Sequence, residues 1–152
     1  MNDVSRRTSC CYVRSPRTDG TGAPVTAAAA PHQERLPGLH LMADLYECAC
    51  APDLMVNSPR LRHQCVELVK RAELTAVGDY FHAFTGGGVT GAIVLSESHL
   101  SVHTWPEHRY VTLDVYVCNY SANNRDKARR LFDWLVDIFA PRAPRMFALD
   151  RA

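Results

Sequence analysis

The chain lacks any run approaching the ~18 consecutive apolar residues of a membrane span, so no transmembrane helix is expected. It has little net charge: 17 lysines and arginines against 16 acidic residues leave +1. That balance gives no reason to expect nucleic acid or a membrane surface as partner. It also lacks a cysteine framework. Six cysteines stand as an adjacent pair (Cys10, Cys11), a pair two apart (Cys48, Cys50) and two singles (Cys65, Cys118). No apolar signal segment precedes them, so reduced thiols in a cytoplasmic protein are expected rather than a secreted disulfide fold. There is no internal repeat, which excludes solenoids and propellers. A G-x-S-x-G elbow is missing as well, which argues against a serine hydrolase built on Ser98, His103 and an acid.

What remains is 152 residues with 47% apolar and 22% charged content, enough for one domain with its own core. Residues 1–37 differ from the rest. Ser, Thr, Arg, Gly, Ala and four prolines (Pro16, Pro24, Pro31, Pro37) dominate there without apolar periodicity. Such a segment cannot bury enough surface to offset its ordering entropy, and a disordered N-terminal extension is expected. Its arginines mimic a transit peptide, against which Asp3 and Asp19 count. The ordered domain is expected over 38–152.

Within that domain, loose alternation from Leu39 to Cys48 predicts a strand. Ser58-Pro59 reads as an N-cap with proline at the first helical position. Leu61, Cys65, Leu68, Val69 and Ala72 then recur at helical spacing, predicting a helix to about Leu74. Strands follow over Val77–Phe84, Val89–Leu95 and Leu100–Trp105, the first broken by Gly86-Gly87-Gly88. Tyr110–Cys118 is the clearest strand, rich in β-branched and aromatic residues. Asn123 or Asn124 can cap a second helix carrying Leu131, Trp134, Leu135 and Ile138 and ended by Pro141. Arg145–Leu149 closes as a strand. The order β-α-β-β-β-β-α-β predicts an α+β two-layer sandwich: mainly antiparallel sheet with two helices on one face.

The chemistry concentrates at Glu97-Ser98-His99, His103, Glu107 and Cys118, a serine, two histidines, two carboxylates and a thiol within 22 residues. A serine hydroxyl can attack the preceding carbonyl and convert the amide to an ester. Loss of the serine α-proton then expels the upstream carboxylate, and hydrolysis leaves a pyruvoyl group and ammonia. A strained turn between two strands, with proton-moving neighbours, suits that chemistry. Blander readings exist for each residue. Ser98 alone is a turn residue, Cys118 a small buried hydrophobe, Phe84 a core ring and Glu107 a solvated loop carboxylate. His99 and His103, with Cys118, could instead form a metal site on a non-catalytic domain.

The stretch from Gly88 through Glu97-Ser98-His99 and His103-Thr104-Trp105-Pro106-Glu107 resembles the self-cleaving core of the bacterial and archaeal S-adenosylmethionine decarboxylases. The resemblance extends from Gly38 to Arg151 and includes Asp44 and Tyr46-Glu47-Cys48. It implies a pyruvoyl enzyme whose covalent cofactor comes from Ser98 after cleavage at Glu97-Ser98, and which binds its substrate as a Schiff base. It further implies His103 as a processing proton-transfer group, Thr90 as the hydroxyl supporting that step, and Cys118 as proton donor to the substrate α-carbon. Glu107 would bind ribose hydroxyls and Phe84 would stack on adenine. The product would be the aminopropyl donor of polyamine synthesis. No metal is implied, and relatives of this size form dimers of processed protomers, with residues of both subunits near the site. The chain departs from its relatives at Gly38-Leu39-His40, at Asn119 after the cysteine and at its Asp150-Arg151-Ala152 end. Ornithine or arginine is the rival substrate, although neither would need Phe84 or Glu107.

Overall fold

A computed structural model describes residues 36–151. The expectation of a disordered extension therefore falls, apart from Leu36 and Pro37, outside the described residues. Six strands form one antiparallel sheet: β1 (Gly38–Tyr46), β2 (Ala76–Ala83), β3 (Val89–Leu95), β4 (Ser98–Trp105), β5 (Tyr110–Val117) and β6 (Ala143–Arg151). Their order across the sheet is β2-β3-β4-β5-β1-β6. The period-two pattern of the strands decides which face is dry. In β5, Val111, Leu113, Val115 and Val117 are buried, and in β1 so are Leu39, Leu41, Ala43 and Leu45.

Three helices pack on that buried face. α2 (Ser58–Arg71) contributes Leu61, Cys65, Leu68 and Val69, and α3 (Arg125–Phe139) contributes Ala128, Leu131, Phe132, Leu135 and Phe139. Removing a leucine side chain such as Leu135 fully from water contributes ~1.5–3 kcal/mol. Two differences from the sequence reading are local. A short helix α1 (Pro52–Val56) precedes α2 and buries Leu54 and Met55, which a five-residue segment was too short to signal. The N-cap of α2 is Asn57, whose side chain accepts from Arg60 N, and not Ser58. Proline at the second helical position is equally tolerated, because its missing N–H is one the helix would leave unpaired.

The other face of the sheet carries no helix among the described residues. Strand register lines its polar and aromatic side chains into rows, such as Thr90, His103, Thr112, Asp44 and Arg145 across β3, β4, β5, β1 and β6. Every residue of β6 is exposed, including Met146, Phe147 and Leu149. No helix of the described residues is long and apolar enough to cross a membrane.

Candidate active site

Leu95 pairs with Ser98, so only Ser96 and Glu97 form the turn between β3 and β4, and Ser98 is the first residue of β4. Its φ of +114° lies where only glycine is at ease. Holding a serine there costs ~1–3 kcal/mol and persists only when the surroundings enforce it. Here they do. Cys118 N–H donates to Glu97 O at 3.1 Å, fastening the carbonyl that precedes Ser98. The Glu97 carboxylate accepts from Tyr120 N at 3.0 Å and Asn124 Nδ2 at 2.7 Å, and it is hydrogen-bonded to the Ser121 hydroxyl. Glu97, Ser98 and Cys118 thus meet where the β3–β4 turn abuts the end of β5. Cys118 also lines a cavity of about 230 Å³ with Tyr116, Asn119 and Arg151.

Cys118 is more exposed than the buried thiols Cys48 and Cys65. Cys65 is fully buried, and burial pushes its pKa up to about 12. Burial, with Cys50 adding to it, pushes Cys48 up to about 11. Neither could give up a proton readily at neutral pH. Cys118 is half-buried, as is Cys50. All four described cysteines are free.

A second group gathers at the far end of β3 and β4. Thr90 Oγ1 lies 2.7 Å from His103 Nδ1, directly across the ladder. Both line a cavity of about 390 Å³ with Phe84, Trp105 and Glu107. The Gly86–Gly88 loop delivers Phe84 to this place. All three glycines have positive φ, and a Cβ on Gly88 would stand 2.6 Å from Thr104 O, so the chain can run this close to β4 only without side chains. Thr104 fastens the same spot from inside, accepting from Val89 N at 2.8 Å and donating to Met55 O at 2.6 Å. Phe84 is 53% exposed, so it is not a core ring, and its edge meets His82.

The sequence-predicted residues therefore fall into two groups. Ser98 and His103 are five residues apart on one strand, and at ~3.3 Å per residue their Cα atoms are roughly 16 Å apart. Within one chain His103 is not a neighbour of Ser98.

Nor does the zinc set assemble. His103 is turned to Thr90, whereas His99 lies 3.1 Å and His40 2.8 Å from the Asp114 carboxylate. His40, His99 and Asp114 are close enough together to be tested as ligands. Arg151 argues against it. Its Nη1 sits 3.5 Å from His40 Nδ1 while its guanidinium lies over Tyr116. A metal-bound imidazole offers its second N–H to an acceptor, and here that nitrogen faces a donor. The cluster reads instead as hydrogen-bonded ballast beside Ser98. Sequence reasoning named His40 only within a departure from the relatives and did not single out Asp114, Ser121 or the Tyr120 amide. It read Asn124 only as a helix cap, and nothing in spacing alone separates these from surface polar residues.

Comparison with known proteins identifies the family. Residues 39–152 match the model of the S-adenosylmethionine decarboxylase family. The chain belongs to that family. It is 41% identical over 104 residues to the S-adenosylmethionine decarboxylase proenzyme of Hydrogenobaculum, covering 68% of this chain and 73% of the relative. The proenzyme of Archaeoglobus fulgidus is 36% identical over 114 residues, 75% of this chain and 96% of that one. The crystal structure of the adenosylmethionine decarboxylase from Aquifex aeolicus superposes with a TM-score of 0.68 at 33% identity, covering 78% of this chain and 92% of that structure. That crystal structure therefore shares the fold described above. A serine-derived pyruvoyl group, which a proenzyme of this family requires, fits the residues present: Ser98 sits in a strained hairpin with a backbone donor on the carbonyl that precedes it.

Proposed function

We propose that the chain cleaves itself between Glu97 and Ser98 into fragments 1–97 and 98–152. The resulting pyruvoyl enzyme decarboxylates S-adenosylmethionine to the aminopropyl donor used in spermidine and polyamine synthesis. The backbone of Ser98 carries this reading: a strained serine follows a carbonyl that already accepts from Cys118 N–H. When Ser98 Oγ attacks that carbonyl carbon, the oxygen gains negative charge and the Cys118 amide is in place to bear it. The Glu97–Ser98 C–N bond then breaks, leaving an ester and a free amine. Removal of the Ser98 α-proton breaks the Cβ–Oγ bond and releases Glu97 as a carboxylate. One water replaces the nitrogen, which leaves as ammonia.

The pyruvoyl group at position 98 supplies an electron sink for breaking the bond to the substrate carboxylate. The protein's own side chains supply the rest. Cys118, adjoining position 98, returns a proton to the substrate α-carbon. Phe84 stacks on adenine and Glu107 accepts from the ribose hydroxyls, a task an amino-acid substrate would not give them. Thr90 holds Nδ1 of His103, leaving Nε2 for proton transfer during processing.

Because Ser98 and His103 lie roughly 16 Å apart along β4, the complete site takes two chains. In a homodimer joined through the helix-free sheet faces, the Ser98–Cys118 end of one protomer meets the Thr90–His103 end of its partner. The exposed Phe147 and Leu149 give that face apolar area to bury. A cytoplasmic setting is part of the reading, supported by the four free thiols. Carbon dioxide release by the cleaved enzyme, assayed on S-adenosylmethionine, ornithine and arginine in parallel, tests the substrate. Release from S-adenosylmethionine alone is expected. Release from ornithine or arginine in its place would overturn the nucleoside assignment of Phe84 and Glu107.

A further inference from the structure

Asn124 opens α3 yet does not cap it. Its side chain accepts nothing from the first helical turn, and Arg125 N is taken instead by Asn123 Oδ1 at 3.2 Å. Asn124 is 4% exposed, and its carboxamide is turned away from the helix. Nδ2 donates to Glu97 Oε2 at 2.7 Å, with a longer approach to Cys118 O at 3.4 Å. Asn124 N donates to Asn119 Oδ1 at 2.8 Å, tying the two ends of the 119–124 loop together. With Tyr120 N and the Ser121 hydroxyl, the loop closes around one carboxylate. The start of α3 adds a favourable dipole for negative charge.

We infer that the 119–124 loop is a carboxylate clamp that positions Glu97 for self-cleavage, with Asn124 as its central positioning residue. The inference rests on the self-cleavage reading and deepens it. Glu97 is gripped at both ends, its carbonyl by Cys118 N–H and its carboxylate by the clamp, so the peptide unit before Ser98 cannot swing to relieve the strained φ. Fixing the attacked carbonyl within reach of Oγ is where such positioning accelerates a reaction. The chemistry selects asparagine among helix-opening residues. Serine and threonine carry no second polar atom and are shorter. Aspartate fits the space but cannot donate, and two carboxylates at hydrogen-bond distance cannot both stay ionised without cost. The ionisable neighbours are already committed or adjacent to the reaction. Arg125 is turned to Pro37 O and Asp150, His99 to Asp114, and Cys118 flanks the bond itself.

The test is a double-substitution cycle on the full-length proenzyme, following cleavage by intact mass. The chains are the natural one, Asn124→Asp, Glu97→Gln, and the two substitutions combined. Asn124→Asp is expected to slow cleavage at least tenfold when residue 97 is glutamate. It is expected to slow it less than threefold when residue 97 is glutamine, whose amide can donate to the new carboxylate. Thermal unfolding of Asn124→Asp in an uncleavable Ser98→Ala chain controls for folding, and a lowered melting temperature that still leaves the chain folded at the assay temperature is expected. Equal slowing in both backgrounds, or no slowing while the natural chain cleaves, would overturn the clamp. A natural chain that never cleaves would remove the self-cleavage reading itself, and the clamp's role with it.

Discussion

Thr90 Oγ1 and His103 Nδ1 face each other at 2.7 Å across β3 and β4, a hydrogen bond that sets the orientation of the imidazole. Replacing the hydroxyl by a methyl of similar shape leaves the ring in place but removes its orienting partner. Thr90→Val is therefore expected to slow self-cleavage about 10- to 100-fold, less than the ~10²–10⁴-fold of a whole acid–base group because the imidazole itself remains. The time course of fragment appearance measures it. An unchanged rate would detach Thr90 from processing.

If the site is shared between protomers, defects in its two halves should complement. Ser98→Ala chains cannot cut themselves but keep Thr90 and His103, whereas His103→Ala chains keep Ser98 and Cys118. Co-expressed and differently tagged, the His103→Ala chains should be cut in mixed dimers and remain largely whole when expressed alone. Absence of cutting in demonstrated mixed dimers would mean that each Ser98 depends on a group of its own chain.

The approach of the glycine loop to β4 gives a stability prediction. At Gly88, with φ +87°, an added Cβ meets Thr104 O at 2.6 Å, whereas at Gly86, with φ +101°, it meets nothing within 4 Å. Gly86→Ala carries backbone strain alone, ~1 kcal/mol, while Gly88→Ala adds overpacking and should cost about 2–4 kcal/mol in all. Urea unfolding of both variants in an uncleavable background would show the difference, and equal costs would contradict the close approach.

Arg62 of α2 forms a two-pronged ion pair with Asp79 of β2. The hydrogen bonds from Arg62 hold the Asp79 carboxyl below its ordinary pKa. A carboxylate depressed in the folded state contributes stability above its unfolded pKa, and the contribution fades as pH falls through the folded value. Asp79→Asn should therefore melt at a lower temperature than the natural sequence at pH 7, with the gap closing below the ordinary aspartate range. A gap that widens in acid would show that the pair is not what Asn disrupts.

The clearest strand was legible because its periodicity is strict. Tyr110–Val117 alternates so regularly that one buried face and one open face follow from the sequence. The short helix Pro52–Val56 was not, since five residues span too few turns to show a period. Glu97, Ser98, His103 and Cys118 stood out by chemical type and spacing, but sequence distance hid their separation. Five positions on a strand are a long way, whereas twenty positions, from Ser98 to Cys118, are bridged by two adjacent strand ends. Asn124 stands at the N-cap position as expected, but its side-chain role was hidden for a related reason. Asparagine before a helix reads as a cap, and only the third dimension reveals Glu97 as its partner.

The most direct test of the account is the intact mass of the purified protein, denatured and reduced. The account predicts two species, residues 1–97 and a 98–152 fragment that begins with a pyruvoyl group instead of serine and is lighter accordingly. A single chain of full mass that stays whole on incubation would contradict it.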